Sequence, residues 1–420
     1  MTTTEHSADE AGQPSTGSRD ALKALAANRD YRRMWLGDTV SQAGSSASML
    51  AYPLLTLAET GSVLDAGLIA GVTFFARLIG QVPAGYLADT VSRRKLLIIT
   101  GIVHGLLLAA IAVMAVTGTY QFALMVVLTA AGSITSAFGA PARTQALRTL
   151  VERKQLAEAI AVTTGRGYAL DLVMPVVGGA LFALHRAIPF AVDAVTFWFS
   201  AFCVSRIKTD LGPEPGRPRT RFLPEFVRGW SLLWRDSFLR SACLYSTGSN
   251  LIVSAVLFSV ILGNGAGSIS ALSSGGAITA AAVAGLVGAG FSPRIQRRFP
   301  LQRVLVGVCL TRAVLVLATA TVDHPAARIA ALVVVTFCTP ITAGAMMTAQ
   351  LLRVDREVLG RVSSAQGLIG SCAQPLAPLL AGALIHFAGP AGTCAILGAG
   401  FAVLAAGAAL SRGLRVWAAA

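Results

Sequence analysis

Twelve runs of about twenty mostly apolar residues divide this chain of 420 residues, and no other feature narrows its fold as far. They fall at 34–57, 64–87, 95–116, 121–142, 157–184, 187–206, 240–263, 270–292, 302–320, 327–350, 361–386 and 391–411. A helix needs about 20 such residues to cross a bilayer. The runs are too many and too long for the buried core of a soluble domain. The composition agrees: 13% of residues are charged, about half the usual share of a soluble domain. The fold class expected is therefore all-α integral membrane, with twelve transmembrane helices.

Charge fixes the orientation expected of them. With the N-terminus inside, 29 of the 34 Lys and Arg fall in cytoplasmic segments, 2 in outer loops (Arg186, Arg328) and 3 within spans (Arg77, Arg166, Arg312). This is the positive-inside pattern, and it places both termini in the cytoplasm. It also explains the net charge of +14 without a nucleic-acid partner. Residues 1–33 are polar and small and carry no cleavable signal, so they read as a disordered cytoplasmic tail. Residues 412–420 read as a second tail. Six cysteines stand singly with no C-x-x-C pair, which argues against a metal site or a disulfide framework. No G-x-x-x-x-G-K-[ST], H-E-x-x-H or G-x-S-x-G element occurs, so neither ATP nor an enzymatic centre is expected.

Three groups of residues carry a resemblance. The charged stretch Gly85-Tyr86-Leu87-Ala88-Asp89-Thr90-Val91-Ser92-Arg93-Arg94-Lys95 forms a turn between the second and third runs. It resembles the signature loop G-x-L-A-D-R-x-G-R-R/K of the major facilitator superfamily. Gly85, Leu87, Ala88, Asp89, Arg93 and Arg94 match; Thr90 and Ser92 depart. In the fifth span, Gly165-Arg166-Gly167 and Met174-Pro175-Val176-Val177-Gly178-Gly179 resemble the G-P-x-x-G-G element of drug/proton antiporters, with Met174 in place of the first Gly. Such an element bends a helix and admits a close neighbour. Asn28–Gly37, Pro141-Ala142-Arg143 and Val354–Val362 resemble the branch that includes macrolide-efflux and enterobactin-exporter proteins.

The resemblance implies two pseudo-symmetric six-helix halves, 34–206 and 240–411, joined by a cytoplasmic linker over 207–239. Substrate would bind near the midplane between them. It implies export of a small amphiphilic compound by proton antiport, with no cofactor beyond the proton gradient, in a bacterial inner membrane, by a monomer among membrane lipids. Export of an anionic metabolite such as a siderophore, lysophospholipid flipping, and a receptor on the same scaffold are the rival readings. Asp89 would latch onto the N-terminus of helix eleven, with Arg361 or Arg143 as partner; Arg93 and Arg94 serve that loop or simply anchor the topology. Within the linker, Phe222, Phe226, Trp230, Trp234 and Phe238 recur every fourth residue among arginines, which describes a helix lying in the headgroup region or on the bundle.

Charges inside spans are the mechanistic candidates, because they are costly there and usually functional. Asp171, halfway along the fifth span, is the leading proton site, against an internal salt bridge with Arg77 or Arg166. Asp38 lies one turn inside the first span, at or near the interface. Asp193, early in the sixth, is expected to make a structural hydrogen bond, with a proton site as its other reading. Arg312 has no acid within its half's spans and is expected to face the central cavity, or else to snorkel toward the cytoplasm. Arg77, Asn250 and Gln374 are further cavity candidates, beside Ser249, Thr339 and Gln366.

Overall fold

A computed structural model describes residues 24–152, 155–212, 231, 233–263, 268–322, 324–353, 366, 369, 373 and 375–415, and these hold helices without a strand. The first half runs α1 (Arg29–Ser48), α2 (Ala51–Thr60), α3 (Val63–Thr90), α4 (Arg93–Thr117), α5 (Phe122–Leu150), α6 (Leu156–Leu184) and α7 (Ile188–Ser205). The second runs α8 (Ser237–Gly263), α9 (Ser268–Arg298), α10 (Leu301–Thr321), α11 (Pro325–Phe337), α12 (Thr339–Arg353), α13 (Leu376–Leu410) and α14 (Arg412–Arg415).

Among the described residues, 10 stretches are long and apolar enough to cross a membrane. They serve passes two to twelve, because α13 holds the last two. Its reversal lies at Gly389, whose φ of 69° is the left-handed conformation that a side chain disfavours, followed by Pro390. The first pass is α1 plus α2, and α1 is too polar to count by composition alone. Proline accounts for the other two interruptions. Pro53, third in α2, cannot donate to Met49, and the helix turns at Met49–Leu50. Pro340 cannot donate to Thr336, and the tenth pass divides into α11 and α12 at Cys338.

Within the first half, α1 and α4 pack on α7, α3 on α5, and α6 on α1; within the second, α10 and α8 pack on α13, and α9 on α11 and α12. The halves meet along two seams, α3 against α13 and α6 against α9. The described contacts of these seams lie toward the end remote from the chain's entry, here the far end. A Cβ on Gly67 would stand 2.7 Å from the Pro378 carbonyl oxygen, and one on Gly382 3.0 Å from that of Val63. Phe74 of α3 meets Phe258 of α8 edge to face, ring centroids 6.1 Å apart. Leu57, Ala66 and Leu262 are buried together there, with Val63 and Ile385 against them. Such small-residue contacts let helix backbones approach and are the usual substitute for hydrophobic driving force in lipid.

The near end differs from the sequence expectation in four respects. Helix α1 starts at Arg29, not residue 34: Asn28 caps it, accepting from the Asp30 and Tyr31 amides, and its side-chain amide donates to the Leu150 carbonyl at 2.8 Å. Residues 24–33 are therefore packed structure rather than disordered tail. Helix α3 continues to Thr90, so the turn expected over 85–95 contracts to Val91–Ser92. Residues 206–212 dock on the first half instead of hanging free as linker, with Ile207 and Leu211 buried. The Asp30 carboxylate accepts from the Lys208 and Thr209 amides and the Thr209 hydroxyl at 2.8–2.9 Å. Arg33 donates to the Arg206 carbonyl, Arg94 to that of Thr209, and the Arg93 amide to that of Leu211. The expected tail 412–420 likewise begins with the packed helix α14, where Gly413 and Leu414 are buried. Of the aromatic stripe, Phe222, Phe226 and Trp230 lie outside the described residues; Trp234 is exposed and Phe238 is buried beneath the Arg353 guanidinium.

Asp30 precedes the first span, so its titration concerns the docked segment. Burial pushes its carboxyl up, but the donors from Thr209, Lys208 and Arg33 outweigh this and hold it below the ordinary aspartate value. The dock is thus complete above the ordinary value of about 4 and is lost as pH falls through the lower folded value. Trypsin cleavage of the detergent-purified protein after Arg206 or Lys208 is expected to be slow at neutral pH in the wild type and several times faster in Asp30→Asn.

Candidate functional site

Four-residue spacing turns one face of α1 into a polar ladder. Asp38, Gln42 and Ser46 lie one above another, with Trp35 and Thr39 beside them, and α6 lies against that face. A Cβ on Gly178 of α6 would run into the Ala47 carbonyl, and one on Gly167 would stand 3.2 Å from Gln42 Nε2. Glycine at these two positions is what lets the helices approach. The seam then holds its charges in short reach.

Arg166 of α6 is the hub. Its Nη2 pairs closely with Asp38 Oδ2 and donates to Gln42 Oε1 at 3.1 Å. Its Nη1 donates to Thr39 Oγ1 at 3.1 Å and to the Trp35 carbonyl at 3.3 Å. From α5, Arg143 Nε reaches Asp38 Oδ1 at 3.3 Å. Asp38 therefore bridges two guanidiniums from different helices, with its side chain 18% exposed and that of Arg166 only 8%. Farther up, the Ser46 hydroxyl donates to exposed Asp171 at 2.9 Å. The alternative reading of Asp171, a salt bridge with Arg166, does not form because five residues separate them on one helix, whereas neighbours on a helix face are three or four apart. Arg166 takes Asp38 instead, so Asp38 is not a free interfacial acid.

Asp171 adjoins the seam between the halves. The Thr279 hydroxyl of α9 donates to the Leu172 carbonyl at 2.7 Å, and a Cβ on Gly275 would stand 2.5 Å from the Pro175 carbonyl. Gly179, the last residue of that element, is buried. Arg77, midway along α3, is exposed and lies within electrostatic reach of Tyr52 and Arg143. Three guanidiniums thus share the first half's interior with the Asp38 and Asp171 carboxylates.

Asp193 belongs elsewhere. It is 1% exposed and accepts from Ser48 at 2.6 Å, Thr196 at 3.2 Å and Ser45 at 3.5 Å. These bonds tie α7 to the last turn of α1, beside the break made by Pro53, so Asp193 holds that break in place. Arg312 also departs from expectation: it is 0% exposed, enclosed by the second half, and reaches neither the cavity nor the interface. Its donors take Ser249 and Thr339, which removes those two from the cavity set as well. Gln366 accepts from Gln350. Asn250 stays exposed on α8. Gln374, Arg361 and the side chain of Asp89 lie outside the described residues, as does that of Gly85, whose backbone is in α3. Arg93 is 2% exposed and donates to Gln145 and Thr149 of α5, so it stitches the first half together. The sequence reading missed Thr39, Gln42 and Ser46. Their signal was present as the polar spacing Asp38, Gln42, Ser46 with Thr39 beside it, in the most polar of the spans.

Two six-helix bundles meeting along α3–α13 and α6–α9, with charges in the first bundle's interior, set the frame for comparison. Residues 34–378 match the profile of the Major Facilitator Superfamily. The chain belongs to that superfamily. Solved major facilitator structures share the architecture at low identity. A bacterial homologue of the human lysosomal transporter Spinster, inward-facing and unoccupied, superposes with a TM-score of 0.68 at 14% identity, covering 97% of this chain and 100% of that one. The nucleoside transporter NupG gives 0.71 at 11% identity, over 93% and 100%. In sequence, the chain is similar to the multidrug efflux pump Tap of Mycolicibacterium fortuitum, 27% identical over 233 residues. That alignment covers 51% of this chain and 56% of the relative. The chain spans a little over half the length of that relative; by its family and its apolar stretches it is a multi-pass membrane protein.

The hub makes a stability prediction. Arg166→Ala leaves Asp38 in an apolar seam with a single, more exposed partner and is expected to cost about 3 kcal/mol, near the low end for breaking a buried ion pair. Asp38→Asn combined with Arg166→Gln removes both charges and should recover most of that loss. Thermal unfolding of the purified single and double variants checks both values; an additive double variant would mean that the pair is not coupled.

Proposed function

We propose that this major facilitator transporter exports a small amphiphilic organic compound in exchange for protons, with the near end facing the cytoplasm of a bacterial inner membrane. The observation that carries the reading is the α1–α6 seam, where Asp38 and Asp171 lie on adjacent helices and Asp171 adjoins the contact between the halves. Charges are kept inside spans at considerable cost, and function is the usual reason. The likeness to an efflux pump supports outward transport.

In this reading, residues 34–206 and 240–411 rock about a midplane site, and the far-end contacts of Gly67, Phe74 and Leu262 form the outer seal. That seal closes the outer side of the site. Asp171 binds and releases the coupling proton, because it is exposed and held by a single hydroxyl. Asp38, clamped by Arg143 and Arg166, is the second carboxyl of the exchange: a proton there would free both guanidiniums and loosen α1 from α6 and α5. The Asp89 latch, opposite the seal, biases the equilibrium between the two states. Exposed Arg77 favours substrates that carry an anionic group on an apolar body, which is the specific ground for keeping an anionic metabolite as the second reading.

Ethidium efflux from cells producing the protein tests the proposal. Wild-type cells should clear the dye and stop when a protonophore is added; Asp171→Asn should clear it no faster than cells lacking the protein. Clearance that continues under protonophore would reject proton coupling. Clearance unaffected by Asp171→Asn would move the coupling site to Asp38.

A further inference from the structure

A fully buried arginine without a carboxylate requires an explanation, and Arg312 is one. Among the described residues no acid pairs with it, and the spans of the second half contain none. Its guanidinium is nonetheless almost fully bonded. Nε and Nη2 both donate to the Val335 carbonyl, at 3.2 and 2.9 Å; Nη2 also donates to Thr339 Oγ1 at 2.8 Å and Nη1 to Ser249 Oγ at 3.0 Å. Phe401 lies beneath it, with the guanidinium carbon 5.6 Å from the ring centroid.

Every acceptor clusters where the tenth pass divides. Val335 is in the last turn of α11, whose end carries partial negative charge from its free carbonyls. Thr339 opens α12, and its hydroxyl returns a bond to the Val335 carbonyl at 3.1 Å. Ser249 is on α8, and Arg312 itself on α10. One side chain thus joins α8, α10, α11 and α12 at the single point where Pro340 has removed a helical bond. On the opposite side α9 touches the same point. A Cβ on Gly288 would run into the Phe337 carbonyl, and the Ser292 hydroxyl donates to that of Pro340 at 3.2 Å. The other half of α9 carries Gly275 and Thr279, which touch Pro175 and Leu172 beside Asp171.

We infer that Arg312 is a positioning residue for transport: it staples a proline hinge at Phe337–Thr339, and through α9 that hinge sets how the second half presents itself to the α6 seam. The charge is stabilised by the exposed carbonyl end of α11, not by an anion. Its removal therefore acts on the α11–α12 angle and not on a bound ligand.

Hydrogen–deuterium exchange of the purified full-length protein in nanodiscs reads the staple directly, since amide exchange reports local opening. Arg312→Met and the milder Thr339→Val should each raise exchange over residues 334–342 by about tenfold or more, the size of one lost charge-assisted bond, with α10 and α13 unchanged. Arg312→Lys, which keeps the charge but loses the paired donation to Val335, should fall between. Should Arg312→Met fail to fold, Thr339→Val and Ser249→Ala decide. Unchanged exchange over 334–342, or a rise spread evenly through the second half, overturns the hinge. The transport arm rests on the proposed export activity: Arg312→Lys should lower the maximal ethidium efflux rate while leaving its KM as in the wild type. A raised KM at unchanged maximal rate would instead make Arg312 a binding residue and overturn the assignment. If the wild type exports no ethidium, the exchange measurement still decides the hinge by itself.

Discussion

Arg166 must find a counterion inside an apolar bundle, and much of the first half follows from how it does so. A guanidinium cannot be left unpaired there without a cost of several kcal/mol. The acid that answers it, Asp38, stands on a different helix, so the pair joins α1 to α6; Arg143 extends the join to α5. Gly167 and Gly178 allow the helices near enough for the bonds to form. The polar face of α1 makes the first pass the least apolar of the twelve, and Pro53 then gives it a break that Asp193 steadies from α7.

The second half meets the same demand differently. It has no intramembrane acid, and Arg312 is neutralised by the carbonyl end of a helix that a proline has interrupted. One half is held by an ion cluster in reach of the central space, the other by a sealed staple at a hinge. Beside the α3–α13 seam, contact between them passes through α9, whose far half touches α6 beside Asp171 and whose near half touches the hinge.

The helices and their division into halves were legible because crossing a bilayer is a one-dimensional requirement on length and polarity. The ends of the helices were less so. Asn28 and Asp30 act through bonds to Leu150 and Thr209, 122 and 179 residues away, and no local pattern announces such partners. Of the two readings open for Asp171, a salt bridge with Arg166 is ruled out by helical geometry, which sets the two on different faces. Arg312 appeared to lack a partner because only acids were weighed as partners. The Thr339-Pro340 step marks a helix break in the sequence, yet which side chain bonds the Val335 carbonyl beside it depends on how α10 packs against α11. The signature-loop latch at Asp89 and Arg361 falls outside the described residues.

The account's central claim is that substrate binding is linked to proton release from the carboxylates of the α1–α6 seam, Asp171 first among them. Purified protein in weakly buffered detergent solution, titrated with ethidium while pH is recorded, tests it without any membrane gradient. The account predicts that dye binding releases protons from the wild type and that Asp171→Asn binds dye with little or no release. Dye binding with no proton release from the wild type would contradict it.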